Sequence, residues 1–212
     1  MILKIKKIFI NGLSNIYYFT VGRFIDVASL YKLNLQDYQI LPCSINKDKY
    51  EFIVLNKYLP DLERHYKEVK GKNDLAIQRF NSGNYMCFVY RDKINQEIAY
   101  SRWVSKNEFF SDVLHQMLIF DKDEILTLDS YTTPTYRREH LHRDMNIEML
   151  NWLKNQNEFH YVYMIIKCFI PYLKKYPQSL GYKKIKTEIH YRKGSLKEFY
   201  RLIIFKIKRL FT

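Results

Sequence analysis

The residues best suited to chemistry lie between Ile125 and His142, where the chain reads Ile-Leu-Thr-Leu-Asp-Ser-Tyr-Thr-Thr-Pro-Thr-Tyr-Arg-Arg-Glu-His-Leu-His. A strand-like run breaks at Pro134, passes through a short polar turn and enters an amphipathic helix. The first N–H groups of a helix lack intrahelical partners, and the helix dipole is positive at that end. The pattern therefore predicts a site for an anion such as a phosphate.

The elements that must position this segment can be read from hydrophobic periodicity and turn residues. A strand-rich stretch covers residues 16–35. From residue 60 onward the patterns predict helix, helix, strand, strand, strand, helix, strand, helix and strand, at 61–71, 73–80, 85–90, 97–104, 124–133, 138–156, 160–166, 171–176 and 182–191. Pro177 is expected to end the last helix. Strands mixed with helices in this way favour a mixed sheet flanked by helices.

Two stretches resemble the GNAT superfamily of N-acyltransferases. Residues 131–138, Tyr-Thr-Thr-Pro-Thr-Tyr-Arg-Arg, are similar to the pyrophosphate-binding segment of that family, a strand followed by Pro-x-Tyr-Arg-Gly-x-Gly. Residues 180–182, Leu-Gly-Tyr, resemble the Leu-Gly-Phe that follows the last helix of the family. The predicted element order agrees with the family over about residues 60–191. The resemblance implies a mixed α/β (α+β) GNAT-like fold, with a mostly antiparallel sheet, and an acyl-CoA-dependent transferase.

The resemblance also assigns residues that would bind the cofactor, acetyl-CoA or another acyl-CoA. They follow one another from the strand into the helix: Tyr131, Thr132, Thr133, Arg137, Arg138, Glu139, His140, Leu141 and His142. Arg138, His140 and His142 stand where the family most often has small residues, which let the backbone approach a pyrophosphate closely. Their side chains either obstruct CoA or, in the case of the cationic ones, grip its phosphates by charge.

By the same resemblance, Tyr176 would stand near the sulfur of CoA and protonate the departing thiolate, a step for which a phenol can serve as general acid. Packing of a helix against the sheet explains Tyr176 equally well, since the chain has 19 tyrosines. The backbone N–H near Thr132 would stabilise the oxyanion.

Attack by an amine also requires a base. Strict alternation along the strand places Asp129 on the same face as Tyr131 and Thr133, and Glu124 on the opposite face. Asp129 is therefore the predicted base. The alternative is that Asp129 is a strand-end carboxylate paired with a lysine.

No metal site is predicted. His140 and His142 are two residues apart, which does not place them on one helix face, and no third ligand accompanies them. They are interpreted as part of a solvated helix start. Cys43, Cys87 and Cys168 are scattered without a Cys-x-x-Cys pair, which is typical of a reducing compartment.

The charge balance favours an anionic partner. Lys and Arg number 35 against 22 Asp and Glu, a net charge of +13, so nucleic acid, an anionic membrane surface and phosphorylated cofactors are all open. The N-terminus lacks the pattern of a signal peptide, and no run reaches the roughly 18 apolar residues of a spanning helix. The chain is expected to be cytoplasmic, either soluble or peripheral to the membrane.

The last segment of the chain, residues 194–212, predicts a separate element. Ser195 and Glu198 form a capping box that opens a basic amphipathic helix. The chain is therefore divided into a single GNAT-like domain over residues 1–193 and a helix over 194–212. Such a helix either anchors at a membrane surface or docks on its own domain or on a partner subunit.

The leading functional prediction is transfer of an acyl group to a small-molecule amine, with an amino-sugar of a surface-polysaccharide precursor as the suggested acceptor. A nucleic-acid-associated protein, acting on aminoacyl-tRNA or binding RNA, is the alternative from charge. A GNAT-fold scaffold that has lost CoA is a further alternative, because Arg138, His140 and His142 replace the small residues of the family.

Overall fold

A seven-stranded sheet runs through the protein, and helices lie on both of its faces. The computed structural model describes residues 25–66, 69, 72–167 and 171–191, so the predicted helix over 194–212 lies outside the described residues. The strands are β1 (Ile25–Asn34), β2 (Tyr50–Leu55), β3 (Tyr85–Asp92), β4 (Ile98–Lys106), β5 (Glu108–Ser111), β6 (Gln116–Ile119), β7 (Glu124–Thr132), β8 (Tyr161–Lys167) and β9 (Lys183–Tyr191). The helices are α1 (Asp61–Tyr66), α2 (Lys72–Ser82), a 3-10 turn (Pro134–Tyr136), α3 (Leu141–Gln156) and α4 (Pro171–Ser179).

The order across the main sheet is β2-β3-β4-β7-β8-β1-β9, and β5 and β6 form a separate hairpin. Every neighbouring pair of the main sheet is antiparallel except β7 and β8, which run parallel. The predicted mixed, mostly antiparallel sheet flanked by helices is confirmed. The first described strand, β1, lies between β8 and β9, so the two ends of the described chain meet in one half of the sheet.

Two apolar clusters hold the helices to the sheet. On one face, the buried side of α3 packs against β3, β4, β7 and β8, with Leu141, Met145 and Met149 following one another at helical spacing. On the other face, α1 and α2 pack over Trp103 and Val89. No helix in the described ranges combines the length and hydropathy that crossing a membrane requires.

The parallel pair β7–β8 separates before either strand ends. Its ladder runs from Glu124 and Tyr161 to Thr127 and Met164 and stops there. Beyond that point β7 stays paired with β4, and β8 stays paired with β1. A register shift in the β4–β7 ladder leaves one extra residue in β7 between Thr127 and Ser130, which is a β-bulge. The two strands therefore diverge and leave an opening in the sheet.

Several elements differ from the sequence predictions. Helix α3 begins at Leu141 rather than at residue 138, because Arg138 and His140 adopt left-handed backbone conformations. Pro177 lies inside α4 and does not end it. Pro177 removes one N–H to C=O bond from α4, and its carbonyl accepts hydrogen bonds from the N–H groups of Leu180 and Tyr182. Strand β2 and the β5–β6 hairpin were not predicted.

A buried chain of hydrogen bonds links α1 to the sheet below the bulge. The Trp103 indole donates to the Tyr66 hydroxyl, which lies 2.7 Å from Ser101 Oγ, and Ser101 Oγ lies 2.8 Å from Nε2 of His65. Nδ1 of His65 lies 3.0 Å from the Ile98 carbonyl. Because a carbonyl only accepts, Nδ1 carries the proton and Nε2 accepts from Ser101, which fixes the direction of the whole chain.

This network predicts a pH dependence of stability. Burial lowers the pKa of His65 to about 4, although its bond to the Ile98 carbonyl opposes the shift. Between about pH 6.5 and pH 4 the unfolded state therefore binds the extra proton, and stability present at pH 7 is lost as the pH falls. We expect the wild-type protein to lose about 2 kcal/mol more than His65→Leu between pH 7 and pH 5 in urea unfolding.

Tyr66→Phe is the matched control for His65→Leu. It leaves the Trp103 N–H unpaired and should cost about 1–3 kcal/mol at both pH values while keeping the wild-type slope. An unchanged slope in His65→Leu would show that His65 does not stay neutral in the folded protein.

Candidate active site

The loop between β7 and α3, residues 133–140, is anchored on the sheet by its first half. The Thr133 N–H donates to the Ala99 carbonyl, and its hydroxyl donates to the Ile98 carbonyl. Tyr136 is buried, and its hydroxyl accepts from the Asn95 side chain and donates to Glu97. The loop is therefore fixed in position before it reaches the helix.

Glu139 ties the second half of the loop to the start of β2. Its carboxylate lies 2.8 Å from Nζ of Lys49 and accepts a hydrogen bond from the Tyr50 hydroxyl. The bond from Lys49, followed by that from Tyr50, lowers the pKa of the Glu139 carboxyl. This side chain holds the loop, so any contact of Glu139 with a ligand would have to come from its backbone.

The backbone of the loop bends where the family resemblance expects glycine. Arg138 has φ 77° and His140 has φ 58°, both in the left-handed region. No hydrogen bond between residues that the structure describes uses the N–H groups of residues 138–141, and His140 provides no side-chain cap. We call residues 138–142 the cradle, a turn and helix start with free donors of the kind that binds an anion.

The side chains of the cradle add positive charge at its rim. Arg137 and Arg138 are exposed, and neither forms an ion pair with another described residue. His140 is exposed beside them. The exposed side chains of Arg138 and His140 need no room in the core, so only the strain at Cβ opposes the left-handed turns.

The divergence of β7 and β8 opens a cleft of about 420 Å³ next to the cradle. We call it the strand cleft; its lining includes Arg102, Asp129, Ser130, His142, Lys167 and Tyr176. Three residues predicted from the sequence, Asp129, Tyr176 and His142, are thus brought together. A larger cavity of about 530 Å³ opens beside Asn34 and Lys183, but no predicted site residue lines it, so we place the site in the strand cleft.

Asp129 approaches the cleft from the face that carries α1 and α2. Its carboxylate lies 2.9 Å from Arg79 of α2, so an arginine is one of its partners. Tyr131 packs on the same face, against His65 and Tyr66, as alternation predicted.

The prediction that Glu124 points to the face opposite Asp129 is wrong, because the bulge changes the alternation between the two residues. Glu124 bonds Lys32 on the same face as Asp129.

Tyr176 approaches the cleft from the opposite face. Its hydroxyl is buried and has no hydrogen-bond partner in the described part of the chain. Burial raises the pKa of Tyr176, and the nearby Arg102 only partly offsets the effect. The phenol is therefore protonated at neutral pH, with the Asn146 amide beside it.

His142 is exposed in the first turn of α3, as predicted, and it is also part of the cleft wall. Its Nδ1 lies 2.8 Å from the hydroxyl of the buried Tyr100, and its ring centroid is 5.2 Å from that of Tyr176. The side chain is open to the cleft, yet desolvation by the surrounding protein, followed by the charge of Arg102, lowers the pKa of His142. A neutral imidazole therefore faces the cleft at pH 7.

The remaining predicted residues are placed differently. Leu141 is buried in the core and can offer only backbone to a ligand. Thr132 is paired with Tyr100 in the β4–β7 ladder, whereas Leu128 stands in the bulge and lines the cleft. A backbone N–H in the bulge is therefore a second candidate for the oxyanion donor, and no residue pattern in the sequence marked it.

Arg102 is the cleft residue that sequence reasoning missed. It is 6% exposed and lines the cleft from β4. The available signal was a charge inside an otherwise apolar strand, Ile98 to Val104, because a buried charge in a sheet needs a partner or a ligand.

The fold occurs in solved structures. It is similar to a tandem GNAT protein from the clavulanic acid biosynthesis pathway, without AcCoA, at TM-score 0.56 and 11% identity, covering 79% of this chain and 54% of that one. It is similar to the GCN5-related glucosamine N-acetyltransferase region of a fungal multi-domain GH3 β-N-acetylglucosaminidase at TM-score 0.55 and 14% identity, covering 77% of this chain and 20% of that one. It is also similar to a GCN5-related N-acetyltransferase from Sphaerobacter thermophilus at TM-score 0.53 and 8% identity, covering 80% of this chain and 52% of that one.

These similarities establish the fold alone. The chain spans about half the length of two of these proteins and a fifth of the third. No protein-family model matches the chain, and no curated protein sequence matches it. The chemistry has to be argued from the cradle and the cleft.

The left-handed conformation of His140 predicts that glycine stabilises this position. His140→Gly removes a steric strain of about 1 kcal/mol, part of which is offset by greater freedom of the unfolded chain. We expect the free energy of unfolding to rise by up to about 1 kcal/mol in urea titration. Arg143→Gly, at an exposed position inside α3, should lower it by a similar amount. Equal losses in both variants would mean that the His140 side chain makes a stabilising contact.

Proposed function

We propose that this chain, which has the GNAT fold, is an acyl-CoA-dependent N-acyltransferase that moves an acetyl or other acyl group to a small-molecule amine. The observation that supports this most directly is the position of the strand cleft. It opens at the carboxyl end of β7, where the chain also forms the cradle. A phosphate group on the cradle would place the rest of an extended ligand along the divergent strands.

The residues present fit such a cofactor. The free N–H groups of residues 138–141 and the exposed Arg137 and Arg138 would hold a pyrophosphate. The strand cleft would hold the acyl end, and the bulge at Leu128 would offer a backbone donor there. When bound, acetyl-CoA supplies an activated thioester.

The chain supplies proton transfer from the two sides of the cleft. Asp129 presents a carboxylate from the α1–α2 face, where it can accept a proton from the incoming amine, directly or through water. Tyr176 presents an unpartnered O–H from the α3–α4 face, where it can donate a proton to the leaving sulfur. The base and the acid thus stand on opposite faces of the sheet.

An amino-sugar is the acceptor that we favour. One of the similar structures is described as a glucosamine N-acetyltransferase region, which supports testing glucosamine first. Binding of an anionic membrane surface or of nucleic acid is a proposal from charge, since the predicted basic helix over 194–212 lies outside the described residues.

Acetyl-CoA should bind the purified protein, and the rim charges should contribute. Arg137→Ala is expected to weaken binding about three- to tenfold, roughly 0.7–1.4 kcal/mol, because one charged contact with a phosphate is lost. Isothermal titration calorimetry at fixed salt measures this. Lys122→Ala removes an exposed charge at the start of β7, the opposite end from the cradle, and should leave affinity unchanged. Absence of binding to acetyl-CoA and longer acyl-CoAs would favour the scaffold alternative.

Removal of the Tyr176 hydroxyl should slow turnover without weakening acetyl-CoA binding. We expect Tyr176→Phe to lower kcat about a hundredfold or more with glucosamine or another accepted amine, measured by release of the free thiol. Tyr182→Phe is the matched control, because Tyr182 also has a buried hydroxyl without a partner but does not line the cleft. Equal losses in the two variants would assign the effect to packing.

A further inference from the structure

Two arginines among the described residues are buried, Arg79 on α2 and Arg102 on β4, and only one of them has a carboxylate partner. Arg79 is 7% exposed, pairs with Asp129 at 2.9 Å and lies against the rings of Trp103 and Tyr85. Arg102 is 6% exposed, and no carboxylate of a described residue lies within 4 Å of it. Its Nε has no hydrogen-bond partner among the described residues.

A buried guanidinium without a counter-charge lowers the stability of the folded protein by several kcal/mol, unless a negatively charged group neutralises it. Arg102 is directly opposite Ser130 in the β4–β7 ladder and lies on the same face as Tyr100 and Val104. That face carries α3 and α4, so Arg102 reaches the strand cleft from the side of His142 and Tyr176. Because Arg102 lines the cleft, a ligand bound there can supply the counter-charge that the described residues lack.

The other charges of the cleft do not neutralise Arg102. Asp129 also lines the cleft but is paired with Arg79 from the opposite face. Lys167 adds a second positive charge to the lining, and Asp112 is exposed on the segment between β5 and β6. The buried wall beside Arg102 offers donors, namely the guanidinium and the free Tyr176 O–H.

We propose that Arg102 binds a carboxylate of the substrate, so that the chain acts on a substrate that carries one. This rests on the proposed acyltransferase function. The planar guanidinium fork matches a carboxylate with two parallel hydrogen bonds, which an ammonium does not. The carboxylate belongs either to the free end of a dicarboxylic acyl group or to the amine acceptor. Arg102 then selects the substrate and takes no part in proton transfer.

Calorimetry with paired ligands distinguishes the two sources. In the first arm, succinyl-CoA is compared with butyryl-CoA, which has the same four-carbon chain without the carboxylate. In the second arm, protein without any CoA ester is titrated with amino acids and with their amides. Each arm is run on the wild-type protein and on Arg102→Met, which keeps length and removes charge.

A preference of at least tenfold for the carboxylate ligand in one arm, lost in Arg102→Met, supports the inference and identifies the source. Absence of a carboxylate preference in both arms overturns it. The second arm contains no CoA ester, so it tests Arg102 independently of CoA binding. Failure of acetyl-CoA to bind would therefore count against the proposed function and not against the role of Arg102. Acetyl-CoA affinity is expected to differ less than threefold between the wild-type protein and Arg102→Met.

Stability of the ligand-free protein provides a second test. A charge held for a ligand destabilises the empty protein, so Arg102→Met should raise the melting temperature by a few degrees. Arg79→Met is the matched control and should lower it, because Asp129 and the rings of Trp103 and Tyr85 lose their partner. A lowered melting temperature in Arg102→Met would show that Arg102 supports the fold and would overturn the inference.

Discussion

The architecture depends on one parallel pair of strands in an otherwise antiparallel sheet. Parallel neighbours need a crossover connection, and α3 is that crossover between β7 and β8. The N-terminus of α3 therefore lies at the carboxyl end of β7. Because the β7–β8 ladder stops at Thr127 and Met164, the helix start and the opening between the strands are neighbours by connectivity. Each strand keeps its outer partner, so the sheet can open there and still hold both strands.

The buried polar groups on the two faces of the sheet differ in whether they have hydrogen-bond partners. The chain from Trp103 through Tyr66 and Ser101 to His65 ends on a backbone carbonyl, and every member is satisfied. On the other face, Arg102 Nε and the Tyr176 hydroxyl are buried without partners. The satisfied network is under the helices α1 and α2, whereas these two unsatisfied groups line the cleft. Buried donors without partners in a cleft are available to a ligand.

The family resemblance predicted a strand, a turn and a helix start over residues 131–142, and the structure has them in that order. Arg138 and His140 keep the left-handed backbone that glycine adopts freely, so the chain path is retained while the exposed Arg138 guanidinium stands at its rim. Side-chain identity at these positions does not reveal backbone conformation, since a non-glycine residue can be held there by neighbouring contacts. The bonds of Glu139 to Lys49 and Tyr50, and of Tyr136 to Asn95, are such contacts. They join segments too far apart in sequence to be paired by reading.

The sequence by itself determined the order of the helices and of the main-sheet strands from residue 60, the apolar face of α3 and the mixed sheet, because periodicity and turn residues act locally. It also singled out Asp129, Tyr176 and His142 as candidates, through residue type and resemblance. Only the tertiary structure decided the place of β1 between β8 and β9, the divergence after Thr127 and the bulge at Leu128 and Asp129. Ladder register and strand pairing depend on residues far apart in the chain, and the same long-range packing left Arg102 buried without a carboxylate. That is why the charge in β4 could be seen in the sequence, while its role at the cleft could not.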